Sequence, residues 1–337
     1  MQKQIGKQTL SFSNVFVKDG FAVAGPKEKH GLLGDCFDFC LDDDKFGEKS
    51  FEKAECKMFK FAIDGVLNKA KIQPEQIDTM LGGDLLNQIV SVSFAMRAYN
   101  CSFLGLYNAC GTFAESLLVG SCLVDGGYKN NVVCISGSHF STAERQYRYP
   151  LELGVLRSPV TQWTATGAGA SILTNNNTNA ICKITKGVAG RVVDLGIKDV
   201  NNMGAAMAPA ACDTILQFFN DTNAKVDDYD GIFTGDLGKL GRQILFDFAK
   251  DHGIDFKDKL FDCGAMLYKE EQQTFQGGSG AACSAIVFNS FILNKFKNKE
   301  YKKILLVGTG ALLSPLTSFQ GESVPCIAHC LEVCHVV

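Results

Sequence analysis

Cys110 is the residue whose type and setting most directly suggest chemistry. It follows the apolar run Phe103-Leu104-Gly105-Leu106 and precedes Gly111-Thr112, where a helix is predicted with Ala114, Leu117, Leu118 and Cys122 on one face. A thiol at a helix start feels the positive end of the helix dipole, which lowers its pKa and favours thiolate. Gly111 permits close backbone approach, and N–H groups there could hold an oxyanion. Acyl transfer through a thioester is the chemistry this setting could support. It needs partners that polarise a carbonyl and move protons. The chain has five histidines: His30, His139, His252, His329 and His335. His252 falls in a helical stretch. His139 and His329 follow strands near one predicted sheet edge and could lie near a pocket.

The other candidates fall in a few stretches. Ser136-Gly137-Ser138-His139 ends a predicted strand, and ligands of α/β sheets bind at the carboxyl ends of strands. Ser136 and Ser138 can donate hydrogen bonds, and His139 can donate or carry charge. Arg145 and Arg148, placed in the loop that follows, are candidate carboxylate clamps, because a guanidinium fork matches a carboxylate. Each could instead pair with Glu144 or Glu152. Asp84 and Asp236 end matching strands. Each either orders a pocket loop, with oxygens suited to a calcium ion carried by a ligand, or caps the helix after it. Capping is the role expected of Asp236. Asn87 and Gln88 could donate to a carboxylate or serve a dimer interface.

These residues are positioned by a pattern written twice. Ile77-Asp78-Thr79-Met80-Leu81-Gly82-Gly83-Asp84-Leu85 has a counterpart in Tyr229-Asp230-Gly231-Ile232-Phe233-Thr234-Gly235-Asp236-Leu237. Each is a short apolar strand ending in Gly-Asp-Leu. The Cys110 helix, stopped by Gly126-Gly127 and followed by the strand Val132 to Ser136, also has a counterpart. Gly277-Gly278-Ser279-Gly280 opens a helix running through Ala285 and Phe288 to Phe291, and the strand Ile304 to Val307 follows. Strand, helix and strand in this order imply right-handed βαβ units and mostly parallel sheets. Two copies imply two stacked halves, 1–177 and 178–337, divided at the polar run Asn175-Asn176-Asn177. The two helix starts, at Cys110 and Gly280, would point into one cleft and offer N–H donors to an anion.

Composition narrows the class of function. A length of 337 residues, 46% of them hydrophobic, suffices for a large core or two packed halves. A net charge of −3, with no long block of like charges, leaves no electrostatic footprint for general nucleic-acid binding. The acidic run Asp42-Asp43-Asp44 reads as a solvated loop. Fourteen cysteines, some inside apolar runs such as Val132-Val133-Cys134-Ile135, fit free thiols in a reducing interior. The N-terminus has no signal-peptide core, and no apolar run approaches the ~18 residues that span a bilayer. Any membrane association would have to come through a partner or a surface patch. The run Cys326, His329, Cys330, Cys334, His335 has no C-x-x-C pair and reads as a final strand, so no metal is expected. Gly167-Ala168-Gly169-Ala170 lacks the dinucleotide fingerprint, and no cofactor is expected. Trp163 reads as a packing residue.

Six stretches together resemble one family. They are Gly83-Asp84-Leu85-Leu86-Asn87-Gln88, Thr142-Ala143-Glu144-Arg145-Gln146-Tyr147-Arg148-Tyr149-Pro150, Met203-Gly204-Ala205-Ala206-Met207-Ala208-Pro209-Ala210, Gly277-Gly278-Ser279-Gly280, Gly310-Ala311-Leu312-Leu313-Ser314-Pro315 and Val324-Pro325-Cys326-Ile327-Ala328-His329. They are similar to the stage V sporulation protein AD family of endospore-forming bacteria, from Gly25-Pro26-Lys27-Glu28-Lys29 to His329. The resemblance implies a thiolase-like α/β fold: two pseudo-symmetric βαβ halves with stacked mixed sheets and helices in five layers, αβαβα. It implies binding of dipicolinic acid, the pyridine dicarboxylate stored with calcium in the spore core, or of its calcium chelate, in support of uptake into the developing spore. The implied partners are other proteins of the same sporulation operon, some membrane-embedded, and a second copy in a homodimer. The implied location is peripheral, at the cytoplasmic face or surface of the forespore or spore inner membrane.

Enzymes of the thiolase fold place their acyl-accepting cysteine where Cys110 stands. They draw His and His, or His and Asn, from two loops of the second half. This chain has Gly235-Asp236 in the first loop, and between Tyr268 and Phe288 it has no His and no Asn. The resemblance thus implies a non-catalytic pocket for a flat dianion, with Cys110, Ser136, Ser138, His139, Asp84, Asn87, Arg145, Arg148 and Gly280 as candidate contacts. Two alternatives stand beside it: a Cys110-dependent acyltransferase or condensing enzyme, and a scaffold subunit with a vestigial pocket. Cys110 itself has three candidate roles: pocket wall, buried structural thiol, or nucleophile.

Overall fold

Apolar runs bounded by glycines or polar turns form the strands, and amphipathic runs between them form the helices. In the computed structural model, which describes residues 3–148, 150–154 and 156–336, each half repeats one series of elements. The first half contains β1 (Phe16–Ala24), α1 (Phe51–Ala70), β2 (Thr79–Gly83), α2 (Val90–Met96), β3 (Ser102–Gly105), α3 (Thr112–Asp125), β4 (Asn131–Ser138), α4 (Phe140–Tyr147) and β5 (Gly167–Thr174). The second contains β6 (Cys182–Val188), α5 (Met203–Thr222), β7 (Gly231–Thr234), α6 (Gly238–Asp251), β8 (Leu260–Asp262), α7 (Ala282–Val287), β9 (Lys303–Ala311), α8 (Pro315–Phe319) and β10 (Cys326–His335). Tyr149, in one of the quoted stretches, lies outside the described residues.

Strand order repeats as well. The first five strands lie in the order β3-β2-β4-β5-β1, and the second five in the order β8-β7-β9-β10-β6. Within each set, β2 runs parallel to β4 and β7 to β9, as in Leu81↔Cys134 and Ile232↔Leu305. The next strand then returns antiparallel. A short antiparallel contact, Cys182↔Val17, joins the two sets. The strands β2, β5 and β7 are buried at every position, and β4 and β9 at all but the first. That is why they read as continuous apolar runs rather than alternating ones.

Burying both faces of both sets requires three layers of helix. α1 and α2 cover the outer face of the first set, around Phe59, Ile63 and Met80. α5 and α6 cover the outer face of the second, around Phe218, Ile232 and Leu245. α3 and α7 lie between the sets, where Phe113 and Phe288 meet at 5.6 Å between ring centroids. The result is the five-layer thiolase-like arrangement. α1 starts where the Ser50 hydroxyl accepts from the Lys53 amide at 3.3 Å, a side-chain N-cap. The second central helix continues α7 through a π turn at Phe288–Ile292, where buried Asn289 donates to the Ala285 carbonyl. Among the described residues, no helix is long and apolar enough to cross a membrane.

Candidate functional site

Cys110 sits at the junction of β3 and α3. The chain leaves β3, passes Asn108, and turns sharply at Ala109, whose φ of 44° is left-handed. One 3₁₀ turn, Ala109–Gly111, leads into α3. The Thr112 hydroxyl ties the turn by donating to the Ala109 carbonyl at 2.8 Å and accepting from the Asn108 amide at 3.0 Å. Gly111 is required by proximity. A Cβ there would lie 3.1 Å from the backbone of Thr309 in β9. The turn that carries the cysteine therefore packs directly on β9 of the second half.

Asp236, at the end of β7, faces Cys110 from the second half. Its carboxyl lies against the thiol closely enough to disfavour the thiolate. The same carboxyl accepts from the Gly280 amide at 2.9 Å, the Ser279 hydroxyl at 3.2 Å and the Thr309 hydroxyl at 3.2 Å. The capping role expected of Asp236 is thereby corrected. The cap of α6 is Asp262, which accepts from the Leu237 and Gly238 amides at 2.8 and 3.0 Å and from Ala265 at 2.8 Å. With those donors taken, Asp236 turns across the cleft.

Burial also reverses the expectation for the thiol. Desolvation, reinforced by Asp236, pushes the Cys110 pKa well above that of a free cysteine. The partial charge of a helix start does not offset removal of a thiolate from water beside a carboxyl. Desolvation likewise raises Asp236 to about 7, against the Gly280 amide and the Cys110 thiol, which favour its ionised form.

The helix start at Gly280 is not an open anion site. Its Gly280 amide goes to Asp236, and the Ala282 amide goes to the Ser138 hydroxyl at 3.1 Å. Gly280 holds a φ of 104°, and a Cβ there would meet the Ser138 hydroxyl at 2.8 Å. Ser138 in turn donates to the Ala165 carbonyl at 2.7 Å, and Ser136 donates to the Ala281 carbonyl at 3.0 Å. Both serines are fully buried and fasten β4 to neighbouring loops rather than presenting hydroxyls to a ligand.

His139 is corrected in the same way. Its Nδ1 accepts from the Ser141 amide at 3.1 Å, capping α4, and its Nε2 bonds the Asp44 carbonyl at 2.7 Å. Burial lowers its pKa, so the ring is a neutral cap. His329 accepts from the Gly190 amide at 3.1 Å, and burial pushes its pKa down to about 4. The segment placed in a loop is the helix α4. From it Arg145 points outward to Glu52, away from the cleft. Arg148 leaves the helix with φ −123° and ψ −76°, pairs with Glu144 and lines the cleft.

Asp84 is buried behind Leu85. It accepts from the Leu86 amide at 2.8 Å and the Val92 amide at 2.7 Å, ordering the loop into α2. Asn87 lines a shallow groove beside the cleft, with Tyr107 and Tyr147 on the shared rim. The C-terminal cysteines and histidines belong to β10, and among the described residues no three His, Cys, Asp or Glu side chains converge as a metal site would need.

A cleft opens above Cys110. Its walls are Leu85, Ala109, Ala143 and Leu313, with Tyr107, Tyr147 and Arg148 toward the rim. The two tyrosine hydroxyls bond each other at 2.8 Å. Sequence reasoning missed both tyrosines, together with Asp262, Ser279 and Thr309. Tyr147 and Ser279 stood inside stretches already singled out. Asp262 and Thr309 carried no local signal.

Known proteins resemble this chain at two levels. Residues 6–334 match the family described as Stage V sporulation protein AD. The chain is 43% identical over 328 residues to Stage V sporulation protein AD of Bacillus subtilis (strain 168), covering 97% of this chain and 96% of that one. Among solved structures, a variant of OleA from Xanthomonas campestris superposes with a TM-score of 0.62 at 15% identity, covering 98% of this chain and 100% of that one. The 3-oxoacyl-(acyl carrier protein) synthase III of Xanthomonas oryzae also superposes at 0.62 and 15% identity, covering 96% of this chain and 100% of that one. At that identity the likeness speaks for the fold alone.

Proposed function

The chain belongs to the stage V sporulation protein AD family, and from that premise we propose that the Cys110 cleft binds dipicolinic acid, free or as its calcium chelate, without transforming it. The observation that carries this reading is the pairing at the base of the cleft. A carboxyl, Asp236, stands against a thiol that burial keeps protonated. A condensing reaction needs a thiolate and a donor that polarises the thioester carbonyl. Asp236 accepts from Gly280, Ser279 and Thr309, and the described cleft lining holds no His or Asn to polarise a carbonyl. The walls suit a flat ring, since they are apolar and carry two tyrosines, and Arg148 offers a guanidinium at the rim. On this reading the protein supports dipicolinate uptake into the spore as a peripheral homodimer at the forespore or spore inner membrane. It would act there beside membrane-embedded proteins of its operon.

Calorimetry tests the binding. Dipicolinate should give saturable heat, and picolinate, which lacks one carboxylate, should bind more weakly. No heat at millimolar dipicolinate, with or without calcium, would remove this reading.

One feature favours a second reading, acyl transfer. Ala109 is held in a left-handed conformation immediately before Cys110, and such strain gathers at active sites. Incubation with acyl-coenzyme A followed by intact-mass measurement separates the two. An acyl adduct that disappears in Cys110→Ala would favour the transferase.

A further inference from the structure

A second recess adjoins the Cys110 cleft and shares Arg148 as a wall. Its polar lining comprises Glu144, Arg148, Arg157, Ser158, Thr161 and Asn201. The charges in it do not balance. Arg148 pairs with Glu144, whose carboxyl also accepts from the Thr164 hydroxyl at 3.1 Å. Arg157 donates to the Gln162 carbonyl, yet its Nη1 is buried with no hydrogen-bond partner among the described residues. The Nε of Arg148 is buried and unpartnered in the same sense.

Trp163 ties a third cation to this place. It stacks on Phe140 with centroids 3.7 Å apart and an interplanar angle of 7°. The Lys27 ammonium lies 4.1 Å from the Trp163 ring centroid and the Arg157 guanidinium 4.9 Å from it. Of the nearby acids, Glu144 is already paired, Glu28 is buried and bonded to Tyr268, and Asp44 acts on Lys27 rather than on the arginines. A buried guanidinium N–H without an acceptor is unfavourable. Two of them beside one recess indicate an oxyanion as the missing partner.

The Cys110 end of the cleft offers the opposite environment. There Asp236 takes the Gly280 amide and the Thr309 hydroxyl, so a ligand carboxylate would meet a carboxyl with its donors already used. We propose that Arg157 and Arg148 form an anion subsite in the adjoining recess, which receives one carboxylate of the planar dicarboxylate while its ring rests in the apolar cleft. This rests on the dipicolinate reading above and gives it a direction: carboxylate toward the arginines, ring toward Cys110. Arg157 then determines specificity for an anionic ligand, and Arg148 joins the two spaces.

Trp163 is the chain's one tryptophan, so its emission reports on the recess. The full chain would be titrated with dipicolinate, picolinate and inorganic phosphate, following both Trp163 emission and heat. Dipicolinate should change the emission saturably. Arg157→Gln should weaken that binding by about 10- to 100-fold, as expected for loss of a hydrogen bond to a charged group. Arg157→Lys, which keeps the charge but not the fork, should restore part of it. Arg145→Ala, on the outer face, should bind as wild type. Equal dipicolinate affinity in wild type and Arg157→Gln would overturn the subsite and leave the cleft reading standing. No dipicolinate binding, but an Arg157-dependent Trp163 response to phosphate, would do the reverse. Silence with both probes would overturn both. Should Arg157→Gln fail to fold, Arg157→Lys against wild type carries the same comparison.

Discussion

The thiol of Cys110 and the carboxyl of Asp236 face each other at the base of the cleft, one from each half of the molecule. Asp236 raises the cost of ionising Cys110, while the neutral thiol favours the ionised form of Asp236. Charge on both at once would place two anions in contact away from water, where the effective dielectric is low. The ground state is therefore a neutral thiol beside a carboxyl whose pKa is pushed to about 7. Reactivity, pH dependence and local stability all follow from that pair and from the residues that hold it.

Alkylation of Cys110 should be slow. Only thiolate reacts, and burial together with Asp236 holds the thiolate fraction below that of a free cysteine. Iodoacetamide labelling at pH 7.5, read by peptide mass spectrometry, should run at least about tenfold slower than for glutathione, whose thiol has an ordinary pKa. The rate should climb through pH 9 without a plateau. Asp236→Asn should accelerate it. Labelling of Cys110 as fast as glutathione, with a plateau below pH 8, would show an activated thiol instead.

Stability should carry the mark of Asp236 with a definite sign. Its folded pKa of about 7 lies above the ordinary carboxyl value of 3.8, so the folded state holds the proton more tightly. Stability from this group is full below the unfolded pKa and is lost as pH rises through 7. Asp236→Asn cannot ionise and should not show the loss. The stability of the variant relative to wild type should therefore increase from pH 5 to pH 8, by an amount on the order of a few kcal/mol. Urea midpoints at the two pH values measure it. Glu28, also raised to about 7 by burial, titrates in both proteins and cancels from the comparison.

How much of this was legible in the sequence depends on how local the cause was. The two halves and the turn carrying Cys110 were legible because buried strands and glycine-ended helices leave periodic signatures. The repeated Gly-Asp-Leu equated Asp84 with Asp236, and the fold separates them. Asp84 accepts from Leu86 and Val92 in its own following segment. Asp236 looks across to Gly280 and Thr309, because Asp262 from another strand has taken the local amides. Nothing within 229–237 records that exchange. His139 was placed at the right strand end, but its ring turns back onto the Ser141 amide. Arg145 and Arg148 stand three apart, and only the non-helical backbone at Arg148 sends one inward while the other meets Glu52.

Asp262 should matter more to stability than its distance from the cysteine suggests. Its two oxygens accept from the Thr234 hydroxyl at 2.7 Å and from the amides of Leu237, Gly238 and Ala265. Asp262→Ala leaves the Leu237 and Gly238 amides at the start of α6, and the Ala265 amide, without their acceptor, while the Thr234 hydroxyl keeps the Phe261 carbonyl. The cost should be on the order of 3 kcal/mol or more. Chemical denaturation checks it, and a loss under about 1 kcal/mol, the worth of a single ordinary hydrogen bond, would mean that water or a neighbour replaces the carboxyl.

Gly280→Ala should connect backbone strain to thiol reactivity. The φ of 104° is unfavourable for any L side chain, and the new methyl would meet Ser138 Oγ at 2.8 Å and Thr164 Cγ2 at 3.2 Å. Strain of this kind costs about 1–3 kcal/mol. Relief requires the loop to move, and the Gly280 amide moves with it, away from Asp236. That amide favours the ionised form of both Asp236 and Cys110. Its withdrawal should raise both pKa values, so Cys110 alkylation at a fixed pH should slow further while the unfolding midpoint falls. A variant that loses stability yet labels Cys110 faster would show that the loop opens the cleft to water instead, and that the amide is not what holds the pair.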